Sequence, residues 1–260
     1  MRRRGVVGAG AAALALVFVA FAGADVIQSG DLRITAQVRI QPFKLPRDRL
    51  APIAVFVSGH IAGSEGAQPP QLQRMTVLVN RHGRLRGRGI PTCGFDEIDT
   101  VSTQGSLAAC GDALVGSGRF WASIVLPDQH PYATRGRLLM FNGRQRGKPV
   151  LFAHIYTVTP FPTSFVIPFR IKPIDRGMYA TELSASLPAA LGSWGFVDRI
   201  KLTLRRKYSY RGRQRSYLNA KCPAPGGAKF TLFPLAQVNF FFADRKSIEL
   251  TIQKSCGVAR

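Results

Sequence analysis

Hydrophobic and polar residues alternate along much of the chain. Leu32, Ile34, Ala36, Val38 and Ile40 take every second position, with Arg33, Thr35, Gln37 and Arg39 between them. A period of two predicts a strand with one buried face and one wet face. Met75, Val77 and Val79 repeat the pattern against Arg74, Thr76 and Leu78. The stretch from Ile53 to Ile61 is more continuously apolar and predicts a strand covered on both faces. Further strands are expected over 119–126, 137–141, 150–158, 165–171, 179–186, 196–205, 215–220, 235–242 and 247–253. Asn142-Gly143 and the segment 243–246 carry hairpin-turn chemistry between such runs. No long stretch keeps a 3.6-residue apolar period, so helix is expected only in short pieces near 97–106 and 188–191. Short strands punctuated by Gly and Pro predict an all-β fold, either an antiparallel β-sandwich or a partly closed barrel.

A faint internal repeat refines this picture. The segment from Arg74 to Arg81 resembles that from Arg199 to Arg206. Each is followed by a basic, Gly-containing turn and then by a cysteine, Cys93 or Cys222. The pattern suggests two similar β-rich halves, 25–160 and 161–260, meeting in the Pro-rich stretch 159–174. The alternative is that amphipathic strands resemble one another without common origin.

The first 24 residues differ in character. Arg2, Arg3 and Arg4 precede an apolar run rich in Ala, Val and Leu, which ends at Ala22-Gly23-Ala24. Positive start, apolar middle and small residues at the end make a secretory signal peptide, with cleavage expected before Asp25. An uncleaved N-terminal membrane anchor is the alternative, since the run is about 20 residues long. Either reading places the rest of the chain outside the cytoplasm, secreted or associated with the cell envelope.

Export changes how the four cysteines are read. An even number in an exported chain predicts disulfides. Of three connectivities, proximity favours Cys93–Cys110 and Cys222–Cys256. A zinc site built by all four thiolates is the competing reading, but no two cysteines lie two to four residues apart.

Charge is the most distinctive property. The 260 residues carry 36 Lys and Arg against 14 Asp and Glu, a formal charge of +22. The signal segment accounts for three Arg and no acid, so the excess belongs to the folded part. Arg81, Arg84, Arg86 and Arg88 crowd one turn region; Arg144, Arg146 and Lys148 crowd a second. The third holds Arg205, Arg206, Lys207, Arg211, Arg213 and Arg215, interleaved with Tyr208, Tyr210 and Tyr217. Arginine forks suit phosphate and carboxylate, and tyrosine rings can stack on sugars. These six residues are the candidate anion-binding site, and the partner they suggest is an anionic cell-envelope polymer or a membrane surface. The plain alternative is a set of solvated basic turns. No nucleic-acid-binding module is present, and none is expected to act here.

Catalytic motifs are absent. His60, His82, His130 and His154 are not at ligand spacing, and His60 and His154 fall in strands as sheet-face or core residues. Gly116-Ser117-Gly118 lacks the context of a nucleophile elbow. Gly87-Arg88-Gly89 opens no dinucleotide-binding helix. Asp96, Glu97, Asp99 and Asp112 form a calcium-like group of oxygens at most, and read more simply as a solvated loop. No cofactor, metal or catalytic residue is assigned.

Several segments occur together behind the signal: Gly89 to Cys93, Cys110 to Gly118, Phe141 to Gly143 and Arg215 to Cys222. In this combination the chain resembles an uncharacterised family of exported, cysteine-containing, β-rich proteins of high-GC actinobacteria. The resemblance implies an extracytoplasmic location and no particular activity. The expected function is therefore non-enzymatic, a structural or binding role toward anionic envelope polymers. A carrier of lipids or other apolar ligands is the alternative, with a secreted hydrolase behind it.

Overall fold

The computed structural model describes residues 24–64, 67–125, 130–159, 161–187, 195–244 and 246–259. The signal segment, except Ala24, and the short helix expected at 188–191 lie outside the described residues. Strand makes up 66% and helix 7%, so the fold is all-β. The strands in chain order are β1 Asp25–Ser29, β2 Leu32–Gln41, β3 Lys44–Leu45, β4 Ala51–Pro52, β5 Ala54–Gly63, β6 Leu72–Asn80 and β7 Gly83–Leu85. After two short helices come β8 Leu114–Ile124, β9 Tyr132–Gln145, β10 Lys148–Thr157, β11 Thr163–Arg176 and β12 Tyr179–Ser186. The remainder are β13 Gly195–Leu204, β14 Lys207–Tyr210, β15 Arg213–Ser216, β16 Leu218–Ala220, β17 Phe230–Phe242 and β18 Ser247–Val258.

Thirteen strands form one sheet in the order β1-β2-β5-β13-β8-β9-β10-β11-β12-β6-β17-β18-β3. All pairings are antiparallel except the short one between β18 and β3. The sheet curls into a half-barrel. Its curl brings the two ends together: Asp25 on β1 forms an ion pair with Lys254 on β18 at 3.2 Å. Strands from residues 25–160 and 161–260 interleave. β13 sits between β5 and β8, and β6 sits between β12 and β17.

The period-two pattern explains which face turns inward. Leu32, Ile34, Ala36 and Val38 of β2 pack with Val238, Phe240 and Phe242 of β17 and with Ile248, Leu250 and Ile252 of β18. Phe120, Leu138, Met140, Leu151, Ala153 and Ile155 continue the interior across β8, β9 and β10. Burying one such side chain contributes roughly 1.5–3 kcal/mol. Glycine permits the tightest curvature: a Cβ on Gly118 of β8 would lie 1.9 Å from the Lys201 carbonyl of β13.

Two strands are covered on both faces, but not the one the apolar run predicted. β5 is half-buried along its whole length. β9 and β10 carry the doubly buried runs. Their outer residues Leu139, Phe141, Val150 and Phe152 lie under α1 Phe95–Ile98 and α2 Thr103–Cys110, stapled by Cys93–Cys110. The helical excursion falls where short helix was expected. Ser102 caps α2 by accepting from the Gly105 amide.

The turn expected at Asn142-Gly143 is also corrected. β9 runs through both residues, and the hairpin reverses at Arg146-Gly147, each with positive φ. Two consecutive residues of this kind match a type I′ turn, whose twist follows that of the strands. Asn142 is buried and donates to the Pro91 carbonyl at 3.0 Å. The turn at 243–246 does connect β17 and β18. The predicted strand 215–220 splits into β15 and β16, which belong to different small sheets.

Candidate anion-binding site

Strand direction gathers the basic turns at one end of the half-barrel, called the base here. β2 and β13 end there and β5, β8 and β10 begin there, as the pairings Leu204 with Val55 and with Gly116, and Lys148 with Gln145, require. A small sheet, β4-β16-β7, closes the base together with the hairpin β14–β15 and the disulfide Cys222–Cys256. Both disulfides are thus those expected. Tyr217 is buried in this plug, and burial pushes its hydroxyl well above the ordinary range.

The loop 86–91 is the hub. The Tyr208 hydroxyl donates to the Arg88 carbonyl at 2.9 Å, with the Arg86 carbonyl at 3.2 Å. Tyr210 packs against Gly89, where a Cβ would meet its ring at 2.5 Å. On the other side Asn142 ties the loop to the end of β9, close to the Arg146-Gly147 turn. Two basic regions, 81–88 and 205–215, therefore meet at this loop, and β9, which leads into the third, is tied to it through Asn142.

The six candidate residues divide. Arg211 and Arg215 stand over the Tyr210 ring at 5.4 and 5.7 Å. Arg213 is paired opposite Tyr210 across the hairpin. A hydrogen bond from Arg88 and the charge of Arg211 hold the Tyr210 hydroxyl below its ordinary value. Arg88, Arg211, Arg213 and Arg215 thus surround Tyr210, and Arg86 lies beside Tyr208 on the same face of the hairpin. Lys207 alternates to the other face of the hairpin, beside Ser216. Arg206 is tied down, donating to the Asp112 carbonyl at 3.3 Å. Arg205 is exposed just beyond β13. The contribution of Arg86 and Arg88 was visible only as a basic turn. Alternation of Tyr208 and Tyr210 was the sign that something packs on that face.

Among the described residues, the one group at ligand distance is Cys93, Glu97 and Cys110. Its sulfurs are spent in the disulfide, and Glu97 accepts from the Gly94 amide at the start of α1. His154 is buried on the outer side of β10 and donates from Nε2 to the Val101 carbonyl at 3.0 Å. It holds the loop between the two helices. Among the described residues no helix is long and apolar enough to cross a membrane.

A second basic region lies on the outer face of the sheet. A concavity of about 780 Å³ crosses β2, β5, β13, β8 and β9. Arg39, Arg119, Arg137 and Lys201 line it, with Gln37, Ser58, Ser117 and Thr203 between them. Arg39 lies over the Phe56 ring at 4.6 Å. No known protein family, curated protein or solved structure matches the chain.

Proposed function

We propose that the protein is a non-enzymatic, extracytoplasmic binding protein whose base holds an anionic polymer of the cell envelope. The observation that carries this reading is the packing of the basic hairpin β14–β15 on the basic loop 86–91. Arg88, Arg211, Arg213 and Arg215 crowd around Tyr210 there, with Arg86 beside Tyr208. Guanidinium forks bind phosphate and carboxylate in pairs, and rigid hairpins hold them without ordering long loops at the moment of binding. Two disulfides accord with an oxidising compartment.

Retention on isolated cell wall and on a teichoic-type polyphosphodiester tests the reading. Binding should weaken as salt shortens the screening length from about 10 Å at 0.1 M to about 3 Å at 1 M. Replacing Arg211, Arg213 and Arg215 by Ser should weaken it more than replacing Arg144 and Arg146. Equal retention of the triple variant at every salt concentration would leave the hairpin a solvated turn.

A further inference from the structure

The outer-face concavity breaks a rule of sheet construction. Register places Lys201 of β13 directly opposite Arg119 of β8, and Arg119 directly opposite Arg137 of β9. Like charges directly opposite one another destabilise a sheet. Adjacent strands lie about 4.8 Å apart, so three positive charges form a row across the strands. Arg39 on β2 lies one pleat nearer the base on the same face. No ion pair or hydrogen bond joins the side chains of Arg119, Arg137 or Lys201 to another described residue, and among the described residues lining the concavity none is acidic. Alternation would have allowed Thr or Val at any of these positions. A local rule broken without compensation in the fold is where function is expected.

The lining also says what kind of anion fits. The cations run across the strands, which suits an extended chain rather than a single small ion. On the same face Ser58 lies directly opposite Lys201, and Ser117 and Thr203 lie one pleat from Arg119 and Lys201 along their own strands. These neutral side chains both donate and accept hydrogen bonds, which matches sugar hydroxyls. A bare polyphosphate can only accept hydrogen bonds and offers no hydroxyl for these side chains to accept from. We infer that this groove binds an extended acidic glycan, a chain of sugar rings bearing carboxylate or sulfate groups, laid across β2, β5, β13, β8 and β9. It is a second site, built from residues other than those of the base hairpin.

Calorimetric titration of the folded, disulfide-bonded protein separates the possibilities. The probes are a uronic acid oligosaccharide, a sulfated heparin-type oligosaccharide, a neutral oligosaccharide of equal length, and inorganic polyphosphate. At least one acidic glycan should bind, and the arm that binds more tightly names the acidic group. The neutral chain should not bind. Arg119→Gln together with Arg137→Gln should weaken glycan binding roughly tenfold or more, as loss of charge-assisted hydrogen bonds implies. Lys201→Gln, a milder change, should weaken it in the same direction. The variant with Arg211, Arg213 and Arg215 replaced by Ser should keep glycan affinity within about twofold, the scale of a lost distant charge under screening. Absence of binding by both acidic glycans would overturn the inference. So would unchanged affinity in the Arg119 and Arg137 variant, or loss confined to the base variant. Polyphosphate binding this groove as tightly as either glycan would overturn the sugar assignment. Failure of the base reading alone would show as teichoic-type retention unchanged in the Arg211, Arg213 and Arg215 variant while the glycan results stand as expected.

Discussion

His154 gives the fold a specific dependence on pH. Its side chain is fully buried on β10, opposite Leu139 and Val166 in the register. The Val101 carbonyl can only accept, so Nε2 carries the proton and Nδ1 is bare; Nδ1 is buried and has no hydrogen-bond partner among the described residues. A second proton would have to sit on that unpartnered nitrogen. Burial therefore holds the imidazole below its ordinary value, against a smaller opposing pull from the Val101 carbonyl and from Asp99. In the unfolded chain the ring takes a proton near pH 6.5. Above that pH both states are neutral and His154 adds no slope. As pH falls from about 6.5 toward the lowered folded value, the unfolded state holds more protons, and stability drops by up to about 1.4 kcal/mol per pH unit. Below the folded value the loss stops growing. His82, lowered by burial and by Lys221 and Arg81, works in the same direction. Asp198, raised by burial against its Ser123 hydrogen bond, works in the opposite direction but nearer pH 4. Urea unfolding between pH 7.5 and 5.5 isolates the histidines. His154→Gln should lower stability at pH 7.5 yet flatten the slope below pH 6.5, leaving the part due to His82. An unchanged slope in that variant would show that His154 is not the group that titrates.

The staples and the cationic groove give two more expectations. Cys222–Cys256 closes a loop of separation 34 and Cys93–Cys110 one of 17. The chain-entropy relation then gives about 3.8 and 3.1 kcal/mol. Replacing both members of the first pair by Ser should lower the urea midpoint more than replacing the second pair, and the reverse order would contradict this. Arg119→Thr relieves the like charges on both flanks and adds a β-branched residue to β8. It should raise stability by roughly 0.2–1 kcal/mol in chemical denaturation, where an exposed arginine with useful partners would instead lose stability on removal.

The sequence spoke clearly about strands and poorly about their neighbours. Alternation located β2, β6, β12, β13 and the final hairpin, because each has one wet face and that pattern is local. It misplaced the doubly covered strand. Ile53 to Ile61 is apolar but stays half-buried, whereas β9 and β10 are sealed by a helical excursion that only the fold brings over them. Asn142-Gly143 has turn chemistry, yet a tertiary hydrogen bond to Pro91 keeps Asn142 inside a strand. β3, β4 and β7 are two or three residues long and exist only through their partners. At the base, the basic turns were legible, but their common hub was not. The outer groove was invisible for the same reason. Arg39, Arg119, Arg137 and Lys201 each occupy an ordinary wet position in their own strand. The order β2-β5-β13-β8-β9, with β13 inserted from far along the chain, makes them neighbours.

The most direct test of the base as the polymer site is arginine footprinting. The protein is treated with an arginine-selective dicarbonyl reagent, with and without a teichoic-type polyphosphodiester at low salt, and modification is read residue by residue. Arg86, Arg88, Arg211, Arg213 and Arg215 should be protected together, and protection should reverse when salt is raised toward 1 M. Arg33, at the opposite end of β2, should react equally in both samples. Protection spread evenly over all exposed arginines, or absent from the cluster around Tyr210, would contradict the account.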